Sequence, residues 1–238
     1  MSTPTVVLVH GAFVDASSWT GVMAELKASG LDAVAPPNLL RGVGTDAAYL
    51  TGFVEALGRP VVLVGHSYAG AVISQTGSDA SNVAGLVYVA AYAPEAGETL
   101  GAINARYPDV PLSAALRNFT YTDDRGEQAT DTYVDTALFH DAVCAEAPAD
   151  VAETLARTQR PASLAAFVTA VTGTPAWQRL PSWAVVATAD RAIHPNAERD
   201  MAVRAGSEIT EINASHAVLA THPAEVAAVI AGAVKAIG

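Results

Sequence analysis

Four short runs rich in β-branched residues stand in the first half of the chain, at residues 5–9, 33–35, 61–64 and 83–89. Between them apolar residues recur at helical spacing: Trp19, Val22, Met23 and Leu26, then Leu50, Phe53, Val54 and Leu57. Ser18 and Thr45 stand where N-caps of these helices belong, and Gly30 and Gly58 where left-handed C-cap residues belong. The second half resumes the rhythm with a strand at 183–188, a helix from Pro195, a strand at 208–212 and a last helix from Pro223. Parallel neighbours need long, usually helical crossovers, so strand alternating with helix predicts an α/β fold with a mostly parallel sheet flanked by helices.

The alternation is interrupted once. Between residues 94 and 177 the β-rich runs stop, and the stretch reads as short helices punctuated by prolines, with a polar turn at 122–126. So long a segment without structure would be unusual in a compact domain. The expectation is a helical lid, 94–177, inserted between strands of a core formed by 1–93 and 178–238.

Composition narrows the classes. Of 238 residues 51% are hydrophobic and 16% charged, which excludes disorder. No run approaches the roughly 18 apolar residues of a membrane helix. Lys plus Arg number 13 against 24 Asp plus Glu, and a net charge of -11 is the wrong sign for phosphate backbones or anionic membranes. Neither nucleic acid nor membrane is an expected partner. The lone cysteine, Cys144, reads as a small apolar filler, and no pattern suggests a metal or a cofactor. Met1-Ser2-Thr3-Pro4 runs into the first strand without a basic or apolar leader, from which a cytoplasmic location is expected.

The chemistry centres on Val61-Val62-Leu63-Val64-Gly65-His66-Ser67-Tyr68-Ala69-Gly70, a buried-type strand that ends in a serine between small residues and opens a helix. That is the context of a nucleophile elbow, although Ala69 stands where the strict G-x-S-x-G pattern has glycine. Composition alone yields about one such match by chance, so position carries the weight: the serine sits at the carboxyl end of a parallel strand, where α/β sheets place their sites. A serine hydroxyl needs a base, and the base an orienting acid. Asp190 follows the 183–188 strand and His216 follows the final strand, so Ser67, Asp190 and His216 occur in the chain order of α/β triads. Glu95 and Glu98 compete as acids; His66, His140, His194 and His222 read as structural or solvent-facing. Oxyanion donors are expected from the backbone amides of Tyr68 and of Ala12, the latter reached through Gly11 after the first strand.

Taken together, Val-Leu-Val-His-Gly-Ala-Phe with Ser-Ser-Trp, Val-Gly-His-Ser-Tyr-Ala-Gly, Ala-Asp-Arg-Ala-Ile and Ala-Ser-His-Ala-Val resemble the α/β-hydrolase superfamily over nearly the full chain. In detail they are similar to small bacterial esterases related to plant methyl-ester esterases and hydroxynitrile lyases. The resemblance implies a serine hydrolase with Ser67 as nucleophile, His216 as base, Asp190 as its orienter, Ala12 and Tyr68 as oxyanion donors, and a pocket roofed by the lid. The lyases of that branch carry threonine after the first-strand histidine and lysine after the catalytic one; here those positions are Gly11 and Ala217, which favours the esterase. The expected substrate is a small, largely uncharged carboxylic ester, with Phe13 and Tyr68, and then Trp177 and Phe139, as candidate pocket residues. Two alternatives stay open: a carbon–carbon bond hydrolase or lyase on the same triad, and a non-catalytic small-molecule receptor. The sequence also allows a homodimer.

Overall fold

A computed structural model describes residues 3–238, so Met1 and Ser2 lie outside it. The core elements follow in chain order as β1 (Thr5–Val9), α1 (Thr20–Ala28), β2 (Ala33–Val34), α2 (Val43–Ala56), β3 (Val61–His66), α3 (Ala69–Asp79) and β4 (Val83–Val89). An insertion then carries α4 (Leu100–Asn104), α5 (Pro111–Ala115), β5 (Leu116–Thr122), β6 (Gln128–Val134), α6 (Phe139–Val143), α7 (Ala149–Thr158), β7 (Ala162–Ser163) and α8 (Ala165–Val168). The core closes with β8 (Ser182–Ala187), α9 (Pro195–Arg204), β9 (Glu208–Ile212), α10 (Val218–Thr221) and α11 (Pro223–Ile237).

Six strands pair in the order β2-β1-β3-β4-β8-β9, every pair parallel. β1 and β3 are buried at every position, as strands covered by helices on both faces must be. Their side chains alternate between two cores. Val6, Leu8, Val62 and Val64 pack with Trp19, Val22, Leu26 and Ile230 of the α1/α11 layer. Val7, Val9 and Leu63 face the α2/α3 layer, with Leu50, Val54 and Ile73. The sheet carries its loops at the carboxyl ends of β1, β3, β8 and β9, and these loops build the site described below.

Two helix starts differ from expectation. Asp15, not Ser18, caps the first turn: its Oδ1 accepts from Ser17 N at 2.8 Å, and Ser18 Oγ donates back to Asp15 O. α2 begins at Val43 behind Gly42, whose φ of 144° suits glycine alone, so Thr45 lies inside the helix. Gly30 and Gly58 do take left-handed conformations, with φ of 75° and 62°.

The insertion differs more. It is not purely helical: β5, β6 and β7 form a three-stranded antiparallel sheet, and the polar turn at 122–126 is the tip of the β5/β6 hairpin. The turn closes with Gly126 N donating to Asp123 O and Gly126 at a φ of 83°. β5 is exposed throughout, so it carries no apolar alternation, and only its Phe, Thr and Tyr content marks it as a strand.

Candidate active site

The turn after β3 is tight for identifiable reasons. A Cβ on Gly65 would lie 2.7 Å from Ala69 O, and one on Gly70 would overlap the Tyr92 carbonyl oxygen. Glycine is therefore required at 65 and 70, whereas Ala69 fits fully buried, which explains why the pattern tolerates alanine there. Ser67 sits at a φ of 55°, a costly conformation for a residue with a side chain. Its backbone is held by Ser67 N donating to Val89 O, and by Gly70 N and Tyr92 N donating to Ser67 O.

The loop after β1 reaches this turn through Gly11, where a Cβ would meet Ser67 Cβ at 2.8 Å. His10 pins the loop: Asn38 N donates to its Nε2 at 2.9 Å, which leaves Nδ1 protonated to donate to Gly11 O at 2.9 Å. Burial pushes the His10 pKa down, in keeping with that neutral tautomer. Neither the Ala12 nor the Tyr68 amide donates in the hydrogen bonds formed among the described residues.

Asp190 lies in the turn after β8, with Asp190 N donating to Ala187 O. Its Oδ1 accepts from Ala192 N and Ile193 N at 2.6 and 2.9 Å, and its Oδ2 meets His216 Nδ1 at 2.5 Å. Burial opposes ionisation of Asp190, but the adjacent His216 and these donors hold its pKa below the ordinary carboxylate value. With Nδ1–H given to Asp190, His216 Nε2 is left as the proton acceptor. Among the described residues the bond from Ser67 Oγ to His216 is not formed; the two are joined through His66, whose Nε2 donates to His216 O at 3.0 Å and whose ring lies 4.7 Å from the His216 ring. Burial and the nearby His216 push the His66 pKa down to about 3, so His66 acts as a neutral strut.

The competing residues are engaged elsewhere. Glu98 binds Arg106 and Arg204 at 2.7 and 2.8 Å; burial opposes its ionisation, yet these partners bring its pKa down to about 2. Glu95 lies 4.0 Å from Arg204. His194 caps α9, His140 bonds Ala147 O, and His222 bonds Thr221.

Phe13 stacks on Phe167 of α8 with centroids 6.0 Å apart, and Tyr68 lies 6.1 Å from the same ring. Phe167 thus brings the insertion against the rings that flank the serine turn, a contact between segments far apart in sequence that periodicity does not encode. Trp177 instead donates to Pro94 O and lies under Arg204, while Phe139 is fully buried in the insertion. The site is nearly closed, with Ser67 8% and His216 6% exposed.

Two further residues escaped the sequence reading. Glu146, after α6, accepts from Ser215 N at 2.9 Å and from Thr221 Oγ1, and so ties the insertion to the His216 loop. Glu198, 3% exposed, shares Ala187 with Asp190: its Oε2 accepts from Ala187 N, and Asp190 N donates to Ala187 O. An acid in a helix's first turn reads as a solvent-facing partner of the helix dipole, which hid it. No group of three or more His, Cys, Asp or Glu among the described residues is arranged to hold a metal, and no helix among them is long and apolar enough to cross a membrane.

Residues 6–229 match the model of the Alpha/beta hydrolase family. No curated protein sequence matches the chain. Solved structures similar to it include polyneuridine aldehyde esterase, at 16% identity and a TM-score of 0.82 over 98% of this chain and 99% of that one. A pyrethroid hydrolase from Sphingobium faniae is 19% identical, with a TM-score of 0.75 over 99% and 98% of the two chains. A histidine-to-alanine variant of tomato methylketone synthase I, complexed with beta-ketoheptanoate, is 16% identical with a TM-score of 0.79 over 100% of both. At such identities the likeness is one of fold, and with the family match spanning nearly all its length, the chain belongs to the alpha/beta hydrolase family.

Proposed function

We propose that the protein is a serine hydrolase that cleaves small, largely uncharged carboxylic esters. The observation that carries this reading is the His216–Asp190 contact at 2.5 Å, beside a serine turn whose φ of 55° is costly to hold. In the proposed cycle His216 Nε2 takes the Ser67 hydroxyl proton as Ser67 Oγ attacks the ester carbonyl carbon. The carbonyl oxygen becomes an oxyanion on the Ala12 and Tyr68 amides, which have no other acceptor among the described residues. Collapse breaks the bond to the alcohol oxygen, and His216 gives that oxygen the proton. Water repeats the sequence on the acyl-enzyme, releasing the acid and restoring Ser67. No step calls for a cofactor. Phe13, Tyr68 and Phe167 form an apolar cluster of rings beside the Ser67 turn, which supports an apolar, uncharged substrate.

The test is intact mass after brief exposure to a fluorophosphonate, wild type beside Ser67→Ala. A single adduct that disappears in the variant is expected, followed by turnover in a screen of esters graded by acyl length. Folded wild type without an adduct would overturn the mechanism and favour a receptor. An adduct with cleavage of β-diketones but not of esters would replace the ester reading with carbon–carbon hydrolysis.

A further inference from the structure

Asp190 and Glu198 bring two carboxyl groups into one buried site. Glu198 stands in the first turn of α9, its Oε2 accepting from Ala187 N at 3.0 Å while Asp190 N donates to Ala187 O, so both acids gather at the end of β8 and are 3% and 5% exposed. Glu198 Oε1 is buried and receives no hydrogen bond, as befits an oxygen that carries a proton. Asp190 is supplied differently, with Ala192 N, Ile193 N and His216 Nδ1 all directed at it. The other ionisable groups nearby leave the pair unneutralised. Arg199 turns outward to Glu211 Oε1 at 2.7 Å, and Tyr92 gives its hydroxyl proton to Asn104 at 3.0 Å. Two adjoining carboxyl groups in so buried a place do not both ionise. The negative charge settles on the one with three donors, and the proton on the other.

We propose that Glu198 is a positioning residue of the reaction centre: its carboxyl keeps its proton and donates it to Asp190, orienting the carboxylate that orients His216. Glu198 also draws charge from Asp190 and so weakens that carboxylate's pull on the His216 Nδ1 proton. The catalytic consequence rests on the serine-hydrolase reading above, whereas the location of the proton does not.

The experiment compares Glu198→Gln with Glu198→Met. The glutamine side chain keeps both bonds, its NH2 donating to Asp190 and its carbonyl accepting from Ala187 N. It is expected to hold kcat/KM within about threefold of wild type with an unmoved pH profile. Methionine removes both bonds, and the acid limb of kcat/KM is expected to move up by roughly one pH unit. An unmoved limb in folded Glu198→Met, or an equal movement in Glu198→Gln, would overturn the proposal. Isotope-edited infrared spectroscopy supplies a readout without turnover: a protonated-carboxyl band in wild type at neutral pH, absent from Glu198→Gln. Absence of that band from wild type overturns the proposal even where the fluorophosphonate adduct forms, and its presence sustains the proton's location where no adduct forms.

Discussion

The guanidinium of Arg41 grips the Asp131 carboxylate with both terminal nitrogens, at 2.8 and 3.1 Å, across the boundary between the parallel-sheet core and the inserted hairpin. The same guanidinium reaches Pro161 O and Tyr121 Oη, and the Arg41 amide donates to Asp46 Oδ1. Asp46 Oδ2 in turn accepts the Tyr68 hydroxyl proton at 2.7 Å, so one chain of bonds runs from the elbow to the lid sheet.

Removing that grip should loosen the hairpin before the core. Arg41→Ala leaves Asp131 without its fork-shaped partner, at a cost of roughly 1–3 kcal/mol. Hydrogen exchange is expected to quicken across β5 and β6 while β1 and β3 keep their protection. Uniform quickening across both sheets would show that the insertion and core open as one unit.

Glu146 predicts a second effect on the insertion side. Ser215 N donates to Glu146 Oε1 and Ala217 N to Val143 O, so both neighbours of His216 are bonded to the insertion. Glu146→Ala frees one of these anchors and is expected to lower kcat on the order of tenfold with little change in KM, because in the proposed cycle a small displacement of His216 weakens proton transfer. Glu146→Gln keeps an acceptor oxygen and should stay near wild type. Equal kcat in all three proteins would mean that the loop needs no anchor at 146.

The elbow gives a contrast between neighbours. Gly70→Ala drives a Cβ into the Tyr92 carbonyl, which is backbone and cannot swing aside, and is expected to cost roughly 3 kcal/mol or prevent folding. Ala69→Gly restores the strict motif but loosens the first turn of α3, at about 1 kcal/mol. Urea denaturation of both variants tests the ordering; a more stable Gly70→Ala would show that the turn relaxes.

The centre of the parallel sheet was legible because β1 and β3 are buried on both faces and rich in unbroken apolar residues, and the glycines at 30 and 58 mark real turns. The elbow and the Asp190–His216 contact were legible because Ser67 directly follows β3, while Asp190 and His216 lie in the short turns after β8 and β9. The lid sheet was not, since β5 exposes every residue. Phe167, Glu146 and Glu198 were hidden for a common reason: each matters through a partner distant in sequence, and nothing local distinguishes it from an ordinary lid or helix residue.

Glu198 also sets a sign for stability against pH. Burial first, and Asp190 second, raise its pKa well above the ordinary 4.5. Between those two values the folded protein holds a proton that the unfolded chain has released, so stability falls as pH rises. The contribution is fully present below the unfolded value and lost as pH climbs toward the folded one. Asp190 has the opposite sign, its lowered pKa adding stability that is lost in acid, but it is common to wild type and Glu198→Gln and cancels in their difference. The melting temperature of Glu198→Gln minus that of wild type should therefore grow more positive from about pH 4 to pH 8. A difference that stays flat, or shrinks, would mean that folding takes up no proton at Glu198 in this range.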